Sequence, residues 1–136
     1  MNCLVPAGPT CEPLDQVRRL TNFSTGRLGM ELVEFLTSQG QRVTLFVGEP
    51  ATWAGARRAA EVVAFSTTTD LESKLRARAG AAVDALFHAA AVSDFQFGRA
   101  FQPAAAGALE EVRAGKRSTR AGFLTVFIES AFAFPT

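Results

Sequence analysis

The chain has 136 residues, 48% of them hydrophobic and 20% charged, and a formal net charge of +1. This composition is typical of a globular protein, and the length suffices for one domain with a buried core. The balanced charge gives no support for a general nucleic-acid surface, and no apolar run is long enough to cross a membrane. We therefore expect neither nucleic acid nor a membrane among its partners.

The N-terminus and the cysteine content indicate a cytoplasmic protein. The first residues lack the basic and apolar regions of a signal peptide. Two cysteines, Cys3 and Cys11, are too few for a disulfide scaffold, and no Cys/His cluster has the spacing of a metal site. We expect both thiols to be reduced and no side chain to serve as a metal ligand.

Strands and helices alternate along most of the chain. Apolar runs predict strands, and apolar residues at helical spacing predict helices. The predicted strands are Asn2–Pro6, Arg42–Val47, Glu61–Phe65 and Ala82–Ala91, and the predicted helices are Thr25–Gln39, Thr52–Ala60 and Thr69–Ala79, the last capped by Thr69 or Asp70. This order predicts an α/β fold, a Rossmann-like doubly wound and mainly parallel sheet.

The pattern changes after the fourth predicted strand. Residues Ser93–Gly107 contain Gly98, Pro103 and a run of alanines, which favour a loop. Residues Gly107–Arg120 are polar and basic, and Phe123–Glu129 is predicted to be a further strand. Because a doubly wound sheet needs helices over both faces, we expect one domain over residues 1–136 that is truncated at its C-terminus.

The segment between the first strand and the first helix is the most informative part of the chain. It is longer than an ordinary strand-to-helix loop, and it ends at Ser24, Thr25, Gly26 and Gly29. N–H groups at a helix start point outward, and the helix dipole favours an anion there. We interpret this turn as a phosphate cradle; the alternative is that Gly29 only lets the helix pack close to the sheet.

Two common nucleotide-binding motifs are incomplete in this chain. Ser24 occupies the first glycine position of the dinucleotide fingerprint, and Glu49, near the place of the ribose-binding acid, lies in a Gly-Glu-Pro turn. Lys116 follows a glycine but precedes Arg117 rather than Ser or Thr, so there is no Walker A loop. An NAD(P)-dependent reductase is therefore the less favoured alternative.

Several polar residues are candidates for ligand contact. Arginine suits bidentate phosphate binding, and the basic candidates, or else surface charges, are Arg18, Arg19, Arg27 and Lys116. His88 is the only histidine, and its plainer interpretation is a strand-end side chain bonded to backbone. The small residues that follow it would let a nucleotide approach the sheet. Asp94, just beyond, is either a ribose or base acceptor or a loop cap.

Three motifs in order resemble those of the phosphopantothenoylcysteine synthetase family. They are Ala-Gly-Pro-Thr-x-Glu-Pro-Leu-Asp-x-Val-Arg from Ala7, Asn-x-Ser-Thr-Gly-x-x-Gly from Asn22, and Ala-Ala-Val-Ser-Asp ending at Asp94. This family forms the C-terminal half of the DNA/pantothenate metabolism flavoproteins. The resemblance implies a modified Rossmann fold and covers roughly residues 2–130.

The resemblance also implies an activity. Members join cysteine to 4′-phosphopantothenate in coenzyme A biosynthesis, using CTP, or ATP in some members, together with Mg²⁺. The substrate carboxylate attacks the α-phosphate of the nucleotide and releases pyrophosphate, and the amine of cysteine then attacks the acyl-nucleotide. No flavin is expected, because the flavin-binding half is absent, and the resemblance allows a homodimer. The alternative is a non-catalytic or truncated nucleotide-binding Rossmann-like domain.

The resemblance assigns roles to individual positions. Asn22 would handle the acyl-nucleotide, with Arg18 in the substrate site and Lys116 in contact with the nucleotide. The residues that would bind the nucleotide are Gly8, Ser24, Thr25, Gly26, Gly29, His88, Ala89, Ala90, Asp94 and Lys116.

Overall fold

The computed structural model describes residues 1–104, 107–112 and 125–130. They form two compact units: one comprises residues 1–11 and 21–93, and the other comprises residues 12–20 and the described residues from Asp94 onward. The first unit contains the predicted parallel sheet and both helices. The second unit contains an antiparallel sheet.

The central sheet of the first unit is parallel. Its strands are β1 (Asn2–Pro9), β4 (Arg42–Gly48), β5 (Glu61–Phe65), β6 (Ala85–Leu86) and β7 (Ala89–Ala91). The order is β5-β4-β1-β6, and β7 also pairs with β1. All these pairings are parallel, so the predicted α/β fold with a mainly parallel sheet is confirmed. The fourth predicted strand is present as two short strands separated by two residues.

Two helices cover opposite faces of this sheet. Helix α1 (Arg27–Ser38) packs Met30, Val33 and Leu36 against alternate residues of β1 and β4. Helix α2 (Thr68–Arg76) packs Leu71 against the other face, where Phe46 and Phe65 lie fully buried. Because side chains alternate along a strand, each central strand contributes to both cores. The sheet is therefore doubly wound, as predicted.

The segment Thr52–Ala60, predicted to be a helix, is irregular, and that prediction is wrong. The backbone N–H of Trp53 donates to the carbonyl oxygen of Thr25 at 3.0 Å. The Trp53 side chain packs against the core between α1 and the sheet. These tertiary contacts take the place of the bonds that an isolated helix would have made.

The predicted cap of the second helix is also wrong. Thr67, not Thr69 or Asp70, is the N-cap: its backbone is extended, and its hydroxyl accepts from Asp70 N–H at 3.1 Å. The Asp70 carboxylate reaches back to Ser66 N–H at 2.9 Å. The two side chains together satisfy donors that a helix start leaves open.

The second unit contains an antiparallel sheet, and only its last strand, predicted over Phe123–Glu129 and described over Thr125–Ser130, was indicated by the sequence. Its strands are β8 (Phe95–Pro103), β9 (Leu109–Glu111) and β10 (Thr125–Ser130), in the order β10-β8-β9. The prediction of a loop over Ser93–Gly107 is therefore wrong for Phe95–Pro103. Strands β2 (Cys11–Pro13) and β3 (Arg19–Thr21) pair in a separate two-stranded sheet.

Candidate functional site

Strands β1 and β7 end side by side at the carboxyl edge of the parallel sheet. Ala7, Gly8 and Pro9 pair in register with Ala89, Ala90 and Ala91. Ligands of open α/β sheets bind just beyond the carboxyl ends of the strands. The residues at this edge are small, and Ala89–Ala91 are partly exposed, so this edge is the candidate site.

Gly8 and Gly26 contact each other at this edge. Their φ angles are +83° and +82°, which residues with a side chain rarely adopt. A Cβ on Gly26 would lie 3.3 Å from Gly8 Cα, and a Cβ on Gly8 would lie 2.8 Å from Ala51 Cβ. Both glycines therefore have a packing requirement of their own, and phosphate binding by them stays a prediction.

Gly29 lets α1 approach β1. A Cβ at this position would overlap Ala7 and lie 3.3 Å from Ala89 Cβ. The structure therefore shows the close packing of helix and sheet that was the alternative interpretation of Gly29. The close approach also places the start of α1 at the ends of β1 and β7.

The N-terminus of α1 carries little local capping. Gly26 is the N-cap and offers no side chain, and the first turn contains no acidic residue. The Ser24 hydroxyl accepts from Gly26 N–H at 3.4 Å, and the Thr25 hydroxyl accepts from Arg27 N–H at 3.3 Å, both long bonds. The N–H groups of a first turn have no intrahelical acceptor, so this end retains its preference for an anion.

Arg27 is held beside this helix start. Its Nε donates to Glu31 Oε1 at 2.7 Å, and its guanidinium lies 5.0 Å from the centroid of the Trp53 ring. The side chain remains 62% exposed. Arg27 is therefore an oriented cation, not a randomly placed surface charge.

Asn22 is tethered to the backbone that follows β7. Its Nδ2 donates to Ala91 O at 3.1 Å and to Val92 O at 3.4 Å. Two carbonyl acceptors fix which end of the amide is nitrogen. Within the described part of the chain no group donates to Asn22 Oδ1, so this oxygen is the atom that the side chain can present to a ligand.

Thr10 is a site residue that the sequence analysis missed. It is fully buried, and its Oγ1 accepts from Ser93 N–H at 2.9 Å and from the Thr68 hydroxyl at 3.3 Å. Its N–H donates to Ala91 O at 3.1 Å, and its carbonyl accepts from the Thr21 hydroxyl at 2.8 Å. A hydroxyl directly after Gly-Pro at the end of a buried strand was the available signal.

His88 lies exposed between β6 and β7. Across residues 1–104, 107–112 and 125–130 its ring makes no hydrogen bond, so the plainer interpretation of a backbone-bonded histidine is not what the structure shows. The residues after it, Ala89 and Ala90, line the candidate edge. Contact of His88 with a nucleotide stays a prediction.

Arg18 belongs to the second unit, where it is paired with Asp15. Arg18 Nε and Nη2 donate to Asp15 Oδ2 at 2.8 and 2.5 Å. Asp15 Oδ1 also accepts from the N–H groups of Val17 and Arg18. The Arg18 guanidinium, followed by these backbone donors, holds the pKa of Asp15 well below its usual range. The ion pair orients Arg18 and leaves Nη1 directed away from Asp15.

The remaining predicted site residues are Asp94, Arg19 and Lys116. Asp94 is exposed in the second unit, and Arg19 is an exposed residue of β3. Lys116 lies outside the described residues, so its role stays a prediction. Among the residues that are described, no group of three or more acidic, histidine or cysteine side chains is arranged to hold a metal ion, and no helix is long and apolar enough to span a membrane.

A cavity of about 270 Å³ opens at the opposite, amino edge of the sheet. Its polar wall includes Arg42 and the ion pair of Arg78 with Glu61, in which Arg78 lowers the pKa of Glu61. None of the three sequence motifs lies there. We therefore place the candidate site at the carboxyl edge.

Comparison with known proteins identifies the family. Residues 1–103 match the model of the DNA/pantothenate metabolism flavoprotein C-terminal domain. The chain belongs to this family. A crystal structure of the DNA/pantothenate metabolism flavoprotein from Streptococcus pneumoniae is similar over 98% of the chain and 61% of its own, with 25% identity and a TM-score of 0.79.

Two curated relatives each match about two thirds of the chain. The coenzyme A biosynthesis bifunctional protein CoaBC of Bacillus subtilis is 35% identical over 92 residues, 68% of this chain and 22% of its own length. A cysteine/cysteine sulfinic acid decarboxylase from an unknown prokaryotic organism is 34% identical over 91 residues, 67% of this chain and 25% of its own. The chain thus spans about a quarter of the length of these curated relatives.

Proposed function

We propose that the chain carries the ligase function of coenzyme A biosynthesis, the nucleotide-dependent joining of cysteine to 4′-phosphopantothenate. The observation that carries the proposal is the tethering of Asn22 to Ala91 and Val92, on the same sheet edge as the glycine-rich start of α1. Membership of the family and the name of the CoaBC relative support it.

The proposed chemistry has two steps. A carboxylate oxygen of 4′-phosphopantothenate attacks the α-phosphorus of the nucleotide, an O–P bond forms, and pyrophosphate leaves. The cysteine amine then attacks the acyl carbon, an amide forms, the nucleoside monophosphate leaves with the electrons of the broken C–O bond, and the proton lost by the amine goes to water or to the departing phosphate. Such reactions depend on positioning and charge stabilisation more than on a strong base.

The residues at the carboxyl edge suit these demands. The first-turn N–H groups of α1, with Arg27 beside them, would face nucleotide phosphates. Asn22 Oδ1 would accept from the amine of cysteine and orient it toward the acyl carbon. Donation from Asn22 to an oxyanion would require its NH₂ group to release Ala91 O or Val92 O.

The proposed reaction also needs a nucleotide and a magnesium ion. CTP is the proposed co-substrate and ATP the alternative. The described residues do not form a cage for Mg²⁺, so the proposed steps assign no role to a metal ion held by the protein. Magnesium keeps much of its water shell and binds phosphate oxygens readily, which suits delivery on the nucleotide.

The test is a pyrophosphate-release assay with CTP or ATP, Mg²⁺ and 4′-phosphopantothenate, with and without cysteine. We compare the natural chain with Asn22→Asp, and with Gln39→Glu as a matched control at the far end of α1. Nucleotide-selective release in the natural chain and the control, with amide product lost in Asn22→Asp, supports the ligase.

A folded chain that binds one nucleotide without releasing pyrophosphate contradicts the ligase proposal. That outcome favours the alternative of a non-catalytic nucleotide-binding domain. The decarboxylase named among the relatives is tested in the same samples by following carbon dioxide release from cysteine.

A further inference from the structure

We propose that Thr10 is the positioning residue of Asn22, an inference that rests on the proposed function. Its hydroxyl would fix the backbone after β7, and that backbone in turn holds the Asn22 amide. The role differs from catalysis, because Asn22 faces the ligand while Thr10 is fully buried beneath it.

One carbonyl links the two residues. Ala91 O accepts from Thr10 N–H at 3.1 Å and from Asn22 Nδ2 at 3.1 Å. Any displacement of Ala91 relative to β1 therefore moves the acceptor of the Asn22 amide. This coupling joins residues far apart in sequence, since Asn22 and Ala91 are 69 positions apart.

The Thr10 hydroxyl fixes the same backbone from its other side. Oγ1 accepts from Ser93 N–H at 2.9 Å, two residues beyond Ala91. The segment Ala91–Ser93 is thus anchored to Thr10 at both ends, and Val92 O, the second acceptor of Asn22, lies between the anchors. Removing Oγ1 would break the bond from Ser93 N–H and release one anchor.

Thr10 also fixes the chain that leads into Asn22. The Thr21 hydroxyl donates to Thr10 O at 2.8 Å, so the residue immediately before Asn22 is held by the same threonine. The Thr68 hydroxyl, just after the N-cap of α2, also donates to Thr10 Oγ1, at 3.3 Å. Thr10 therefore positions both the chain that carries Asn22 and the backbone carbonyls that accept from its NH₂ group.

The test compares Thr10→Val, which keeps the shape and removes the hydroxyl, with Thr10→Ser, which restores it. Thr69→Val, an exposed change on α2, is the matched control. The primary readout is the side-chain NH₂ signal of Asn22 in the ¹⁵N NMR spectrum, assigned by its loss in Asn22→Asp. This readout does not require the chain to be a ligase.

We expect Thr10→Val to shift the Asn22 NH₂ signal and to speed its hydrogen exchange by about tenfold, with Thr10→Ser and Thr69→Val close to the natural chain. If the ligase is active, kcat should fall by roughly 10- to 100-fold in Thr10→Val with KM for the nucleotide nearly unchanged. Unchanged Asn22 signals in a folded Thr10→Val chain would overturn the inference.

A second variant keeps the inference testable if Thr10→Val does not fold. Thr21→Val removes the bond from an exposed residue to Thr10 O, together with a long contact of 3.5 Å to Asn22 O, and it should also shift the Asn22 signal. An Asn22 signal that remains unchanged in this variant contradicts the inference. Altered NMR signals in an inactive chain would leave the positioning role standing and contradict only the proposed ligase.

Discussion

Gly29 of α1 lies against Ala7 of β1 so closely that a β-carbon on the glycine would overlap the alanine side chain. This contact sets the distance between helix and sheet at the candidate edge. The absence of a side chain at one helix position thus determines where the helix start lies relative to the ends of β1 and β7.

Gly29→Ala should destabilise the first unit. The added methyl has no free space, because Ala7 Cβ and Cα already occupy it, and moving α1 disturbs the core around Met30 and Val33. We expect a loss of about 1–3 kcal/mol in the free energy of unfolding, measured by urea denaturation. Gly80→Ala, where a Cβ meets nothing within 4 Å, is the control and should change stability by less than about 0.5 kcal/mol. Equal effects of the two changes would contradict this packing account.

Thr67→Ala should weaken the start of α2. The change removes the hydroxyl that accepts from Asp70 N–H and leaves that donor to water. We expect a cost of about 1 kcal/mol in thermal or urea unfolding. Thr69→Ala, two residues later on the exposed surface of the helix, should cost less than about 0.5 kcal/mol. If Thr69→Ala proved the more damaging, the cap would be at the position that the sequence suggested.

Arg18→Gln should raise the pKa of Asp15 toward the ordinary aspartate value of about 3.9. The hydrogen bond from the Arg18 side chain is the largest cause of the lowered pKa in the natural chain. Because the folded-state pKa lies below the unfolded value, the stabilising contribution is present above about pH 4 and is lost as the pH falls through the folded pKa. An NMR titration of the Asp15 carboxyl carbon measures the shift.

The neighbouring change Arg19→Gln serves as the control for this titration. Arg19 is exposed in β3 and is not among the groups that lower the pKa of Asp15. A similar rise of the Asp15 pKa in both variants would indicate a general charge effect. It would contradict a specific pairing of Arg18 with Asp15.

Local patterns predicted the regular elements well. The strand from Asn2, the helix predicted over Thr25–Gln39 and the strand Glu61–Phe65 all appear close to where the sequence indicated. Gly40 has a φ of +74° just after α1, as a residue that ends a helix should. These features depend on neighbours within a few residues, and the local sequence is therefore enough to predict them.

Local patterns failed where a distant partner decides the structure. Gly98 and Pro103 argue for a loop, yet β8 pairs with both β9 and β10. Phe97 pairs with Ile128 and Ala100 with Val126, so β8 has one more residue than β10 between these pairs. Gly98 lies in this bulge, which a glycine favours, and pairing on both sides outweighs the low strand propensity of the segment.

The sequence by itself determined the α/β order, the three motifs and the candidates at the end of β1. Only the tertiary structure decided that Thr10 bonds to Ser93, 83 positions away, and that Asn22 gives its NH₂ group to the backbone after β7. The physical reason is that apolar periodicity acts within single elements. A hydrogen-bond partner across the sheet is defined only once β1 and β7 have been brought side by side.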